Sequence, residues 1–257
     1  MTSWAQTAWI LALNSWQENL RSRFYQLSAV FGVVFLYVSL LLGMLAADQE
    51  VRVLLDFGLS LIELLGMAGG VYGATSVILR EMETKTIYLI LTRPVTRGQY
   101  LVGRFAGLAL SVAASMALMA LAHLSILFLK GWTWEWVYPA ALLGAYLKTL
   151  TAVALGVFFA LFSSSSLTAL AITLILWTLG HFLPEIRFMI RWTSSMATAP
   201  LHVLSYVVPD LQLLNARDRL VEIGPSTVRP GLWIAYTTAY CATWLGLARA
   251  LLSRKEF

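Results

Sequence analysis

Charge is scarce in this sequence. Asp, Glu, Lys and Arg make up 12% of its 257 residues, about half the ~25% of ordinary soluble domains, and that excludes a water-soluble globule. Cysteine occurs once, at Cys241, so no intramolecular disulfide can form. No GxxxxGK[ST] segment is present, which excludes a phosphate-cradling nucleotide loop on this chain, and neither GxSxG nor HExxH occurs. No basic stripe interleaved with stacking aromatics marks a nucleic-acid surface. Internal repeats and low-complexity segments are absent too, and the apolar runs lack the period-two alternation of a membrane barrel.

What remains is apolar. Hydrophobic residues account for 59% of the chain and the mean hydropathy is +0.75. Residues 24–47, 105–129, 149–184 and 230–248 contain no Asp, Glu, Lys or Arg, and 57–79 contain only Glu63. A helix needs about 20 apolar residues to cross a hydrocarbon core of ~30 Å. The run 149–184 is too long for one crossing, and "SSSS" (Ser163–Ser166) divides it. The pattern predicts an all-α polytopic membrane protein, a single transmembrane domain over 1–257. Its six spans are expected at 26–46, 57–79, 101–128, 139–162, 167–183 and 230–249.

With both termini on one side, that side receives ten of the eighteen Lys and Arg residues, and the short connections opposite hold only Arg52 and Lys130. The positive-inside bias therefore predicts cytoplasmic termini. The first basic residues come only at Arg21 and Arg23, which argues against a cleavable signal peptide. Residues 3–24 read as an interfacial helix with Trp9, Leu13, Trp16, Leu20 and Phe24 on one face and Asn14, Glu18, Arg21 and Ser22 on the other. Residues 184–229 form the one sizeable extracytoplasmic segment, whose two apolar patches suggest short helices at the outer surface.

The stretch "LREMETKTIYLILTRPVTRGQYLVGRF" (Leu79–Phe105) gathers five basic residues and two acids in this apolar chain. Glu81 and Lys85 stand i,i+4 with the acid first, the favourable order, so Glu81–Thr92 reads as a short cytoplasmic helix. Pro94 cannot continue it and biases Arg93 toward extended geometry. Thr96-Arg-Gly-Gln99 then fits a capping box that starts the next helix at Arg97. A solvated basic loop obeying the positive-inside bias is the plainer reading of the same charges.

The order E-x-E-x-K-T-I-Y-x-x-L-x-x-P-V-x-R-x-x-Y-x-x-G-[KR], here Glu81 through Arg104, resembles the signature of type-2 ABC exporter permeases. The branch it resembles includes permeases of copper-enzyme maturation and gliding-associated systems. "VVPDLQLLNARD" (Val207–Asp218) and the basic ending "SRKEF" are similar to further elements of that family. The resemblance implies that 81–92 is a coupling helix, with Glu81, Glu83, Thr84, Lys85, Thr86, Tyr88, Arg93, Pro94 and Arg97 engaging a separate ATPase. It also implies two ATPase copies, a homodimer of permeases, a path lined by spans two and five, outward transport, and a bacterial inner membrane. The chain itself is then no enzyme and holds no cofactor; ATP and Mg belong to the partner.

Two charges fall within spans, Glu63 and Lys148, at similar depths of ~9 and ~14 Å from the outer boundary. An unpaired charge there is costly, so they pair or share a cavity, or else Lys148 snorkels outward and Glu63 is hydrated. His181 and Glu185 stand i,i+4, but with His202 they make no recognisable ligand set, and no metal is expected. His123 reads as packed against a polar neighbour. Two other functions stay open: a non-transporting anchor or assembly factor, and an ion-coupled carrier using Glu63 and Lys148, although such carriers usually show repeated halves.

Overall fold

The computed structural model describes residues 4–21, 30, 32–34, 36–38, 40–41, 43, 49–86, 95–192, 199–216 and 229–254. No strand occurs among them. The helices are α1 (Trp4–Arg21), α2 (Glu50–Glu83), α3 (Arg97–Leu129), α4 (Val137–Phe162), α5 (Ser166–His181), α6 (Leu183–Trp192), α7 (Ala199–Val207) and α8 (Pro230–Arg254), with a 3-10 turn at Gln212–Leu214. Most of the first expected span, 26–46, lies outside the described residues; those described between 30 and 43 are helical.

α4 is the hub. It packs along α2 and α8, touches α3 and α5, and is largely enclosed. Its sequence explains this position: Ala152, Val153, Ala154, Leu155, Val157, Ala160 and Leu161 are all buried, and small residues let neighbouring backbones come close without a hydrophobic drive from lipid. The serine tetrad ends α4 as its polarity predicts. Phe162 is the last helical residue, Ser163 Oγ accepts from the Ser165 amide at 3.1 Å, and extended Ser165 caps α5.

α3 and α4 are each long and apolar enough to cross a membrane. α5 and α6, bent by 66° at Phe182, satisfy that test only as a pair. α2 and α8 have the length, at 34 and 25 residues, but are less apolar than α3 and α4. The helices also overrun their expected limits: α2 begins at Glu50 and continues to Glu83, beyond 57–79.

α1 forms inside the expected 3–24 and packs on the protein through its small residues. Trp9 is exposed, whereas Ala8, Ala12, Ser15 and Asn19 are buried. The cause lies on α3. A Cβ at Gly107 would stand 2.3 Å from Ser15 Cβ and 2.6 Å from the Ala12 carbonyl oxygen, so the two backbones touch through small residues and Trp4 and Trp9 stay outside.

The stretch expected as surface helices also differs. Within it α7 is exposed, but Val208, Leu211, Leu214, Asn215 and Ala216 are buried. A Cβ at Gly144 of α4 would lie 2.3 Å from the Leu214 carbonyl oxygen, and one at Gly180 of α5 would lie 2.8 Å from that of Pro209. Residues 208–216 are a plug fitted onto α4 and α5, because glycines there leave the helix surfaces flat. Residues 193–198 and 217–228 lie outside the described residues.

Gly107→Ala should destabilise the detergent-solubilised protein by about 1–3 kcal/mol, since backbone atoms cannot step aside. Gly246→Ala, with nothing within 4 Å of the new methyl, should be neutral or stabilising by up to ~1 kcal/mol. Thermal unfolding of the two variants in one detergent compares them directly, and equal midpoints would contradict the tight α1–α3 seam.

Candidate functional site

The end of α2 is held to the start of α3 by charge. Glu81, in the last turn of α2, is buried; its carboxylate accepts a hydrogen bond from the Tyr100 hydroxyl and pairs with Arg104 Nη2. Both partners sit on the first turns of α3. Arg104 Nη1 reaches α1, donating to Ser15 Oγ at 2.7 Å and Glu18 Oε2 at 3.0 Å. Glu18 Oε1 in turn accepts from Arg80 Nη2 at 2.6 Å. One guanidinium thus ties three helices, and its side chain is 8% exposed. Removing one partner of such a buried pair costs about 3–5 kcal/mol, because the other charge is stranded.

This geometry corrects the expected helix over 81–92. Glu81 and Glu83 belong to α2, which ends when Thr84 takes the C-cap and Lys85 adopts φ 57°. A left-handed residue just past the C-cap is a common helix stop, and it breaks any continuous helix from 81 to 92. The Thr84 hydroxyl donates to the Arg80 carbonyl at 2.7 Å and meets the Thr86 hydroxyl at 2.8 Å. Glu81 therefore points inward to Arg104, not along the helix to Lys85. Glu83, Thr84 and Lys85 are exposed, Thr86 is half-buried, and Arg97 is the first residue of α3. Tyr88, Arg93 and Pro94 lie outside the described residues. α3 opens with the capping box: the Gln99 amide donates to Thr96 Oγ1 at 3.3 Å and the Thr96 amide to Gln99 Oε1 at 2.8 Å.

A second charged group lies deep in the helix bundle. The structure brings Glu63 of α2 and Lys148 of α4 together, with Nζ 3.0 and 3.2 Å from the two carboxylate oxygens. His181, at the end of α5, places Nε2 3.4 Å from Glu63 Oε1. The plug closes over this group. Gln212 Nε2 donates to the His181 carbonyl at 3.2 Å, and Leu214, Asn215 and Ala216 line a void of about 10 Å³ beside Glu63 and Lys148. The plug is itself pinned: Asp210 pairs with Arg187 at 2.7 Å, its amide donates to the Tyr236 hydroxyl at 2.7 Å, and Tyr240 donates to the Val207 carbonyl at 2.8 Å.

His123, fully buried, contacts the Leu54 carbonyl at 3.2 Å and the Tyr138 hydroxyl at 3.3 Å. No group of three His, Cys, Asp or Glu converges on a metal position among the described residues. The sequence reading gave no partner to Glu18 and no role to Arg104, although Arg104 closes the quoted motif. It paired His181 with Glu185, where the structure joins it to Glu63.

A family model described as "ABC-2 family transporter protein" matches residues 8–252. The chain belongs to that family, so it is the integral membrane component of an ABC transporter that associates with an ABC ATPase. No curated protein matches it significantly.

Neutralising one charge, as Glu63→Gln or Lys148→Met, should lower the thermal midpoint, while the double variant recovers much of the loss. The coupling expected for contacting residues is about 1–3 kcal/mol. Strictly additive effects in a double-mutant cycle would show that the two charges act separately.

Proposed function

We propose that this chain is the permease of an exporter, driven outward by ATP hydrolysis on separate ATPase subunits that dock on the α2–α3 connection. The observation that carries this reading is the Glu81–Arg104–Tyr100 tie. It joins the end of α2 to the start of α3 and leaves Glu83, Thr84 and Lys85 exposed at the tip. A docked ATPase can move membrane helices only through a stiff lever, and a connection internally paired by charge is stiff. In this reading two permeases assemble with two ATPases in a bacterial inner membrane, both termini are cytoplasmic, and spans two and five line the path. ATP and Mg are bound by the ATPase and the permease catalyses nothing. The small residues of α2 suit a helix that shifts against its neighbours, and the pairing of its Glu63 with Lys148 of α4 keeps both charges from lipid.

Replacing Glu83 and Lys85 together by Ala should leave membrane insertion intact and weaken ATPase recovery or coupled hydrolysis about tenfold, the loss of roughly 1.4 kcal/mol of interface energy. Unchanged co-purification and activity would falsify the docking role. An ATPase that still co-purifies, but whose hydrolysis no transported substrate stimulates, would mark the chain as an anchor.

The orientation has its own test. In a Cys241→Ser background, Val203→Cys on exposed α7 should react with a membrane-impermeant maleimide added from outside. Glu83→Cys should react only after permeabilisation. The reverse pattern would invert the topology.

A further inference from the structure

A cavity of about 730 Å³ lies between α1 and α2, lined among others by Asn14, Gln17, Asn19, Arg21, Tyr72 and Arg80. We propose that it binds the headgroup of an anionic phospholipid, a role separate from ATPase docking and independent of the transport reading.

The cavity wall carries more positive than negative charge and one buried donor without a partner among the described residues. Asn19 is 3% exposed and its Nδ2 has no partner among the described residues. Arg21 and Arg80 supply two guanidinium groups, and Arg21 makes no ion pair among the described residues. Glu18 is the one acid on the wall, and both its oxygens are already engaged, by Arg80 and by Arg104. Counting the buried network behind it, three arginines (Arg21, Arg80, Arg104) face two glutamates (Glu18, Glu81). The surplus is positive, and a buried amide N–H is left without an acceptor. A phosphate supplies both what the charge and what the donor require.

Size and place choose the source of that phosphate. The cavity is within the ~300–1,000 Å³ of small-molecule sites and far exceeds the ~30 Å³ of one water, so a free phosphate would leave it mostly unfilled. It opens beside α1, whose exposed Trp4 and Trp9 are the residues that settle at headgroup depth. The bilayer presents phosphodiester headgroups at that level, and anionic ones are drawn to clustered arginines.

The test uses the intact transporter complex exchanged into nanodiscs of phosphatidylglycerol or of phosphatidylcholine, with retained lipid read by native mass spectrometry after transfer to detergent. Phosphatidylglycerol should be retained and phosphatidylcholine lost. Asn19→Leu should cut retention about tenfold, the value of a hydrogen bond to a charged group, and Arg21→Gln about fivefold. Asn19→Leu removes an unsatisfied amide of similar shape, so it should fold at least as stably as the parent in phosphatidylcholine, which separates lost binding from misfolding. Equal retention of both lipids, or undiminished retention by Asn19→Leu, overturns the proposal. Saturable protection by soluble glycerol 3-phosphate equal to that by phosphatidylglycerol would overturn it in favour of a soluble ligand.

Discussion

An arginine keeps its charge inside a protein, so burying one obliges the surrounding structure to answer it. Arg104 is the case on which this fold turns. Its guanidinium, at the start of α3, is answered by Glu81 from α2 and by Ser15 and Glu18 from α1. None of the three helices can slide or rotate alone without leaving a charge unpaired. The tight seam of α1 against Gly107 has the same effect by packing. The end of α2 and the start of α3 are consequently not two independent rods but parts of one three-helix unit with α1.

α2 carries an acid at each end of that logic. Glu63 and Glu81 are eighteen residues apart on one continuous helix, about 27 Å at 1.5 Å per residue. Glu81 fixes its last turn to α1 and α3, while Glu63, near its middle, fixes it to Lys148 of the hub helix α4 and to His181 of α5. A displacement at the exposed Glu83–Lys85 turn therefore has a rigid route to the pinned plug 208–216. Pairings at these two places also mean that any large movement of α2 must exchange ion pairs, not merely bend a linker.

Much of this was legible in the sequence, and the physics says which parts. The charge-free runs, the serine break at Ser163–Ser166 and the Thr96–Gln99 capping box are local signals, read within a few residues of where they act. Glu63 and Lys148 stood out because charge in an apolar run has few tolerable placements. Arg104 and Glu18, 86 residues apart, gave no such hint, since long-range pairing leaves no periodicity. Which side of α1 meets the protein was not legible, because hydrophobicity marks what avoids water and an exposed face in a membrane also avoids water; the buried side is marked by smallness, at Ala8, Ala12 and Ser15. The helix over 81–92 was misread because Lys85 in the left-handed region has no glycine to announce it. The plug at 208–216 was hidden because its recognition lies in Gly144 and Gly180, on other helices.

The shortness of α5 bears on the membrane itself. Sixteen residues before the bend at Phe182 reach about 24 Å, some 6 Å short of a typical hydrocarbon core of ~30 Å. A crossing at α5 either continues through the bend into α6 or is met by a thinner bilayer or by neighbours that shield its ends. Thinning of this kind shortens the distance over which a polar group must forgo water, and it would do so beside the same face of the protein that holds Glu63, Lys148 and His181.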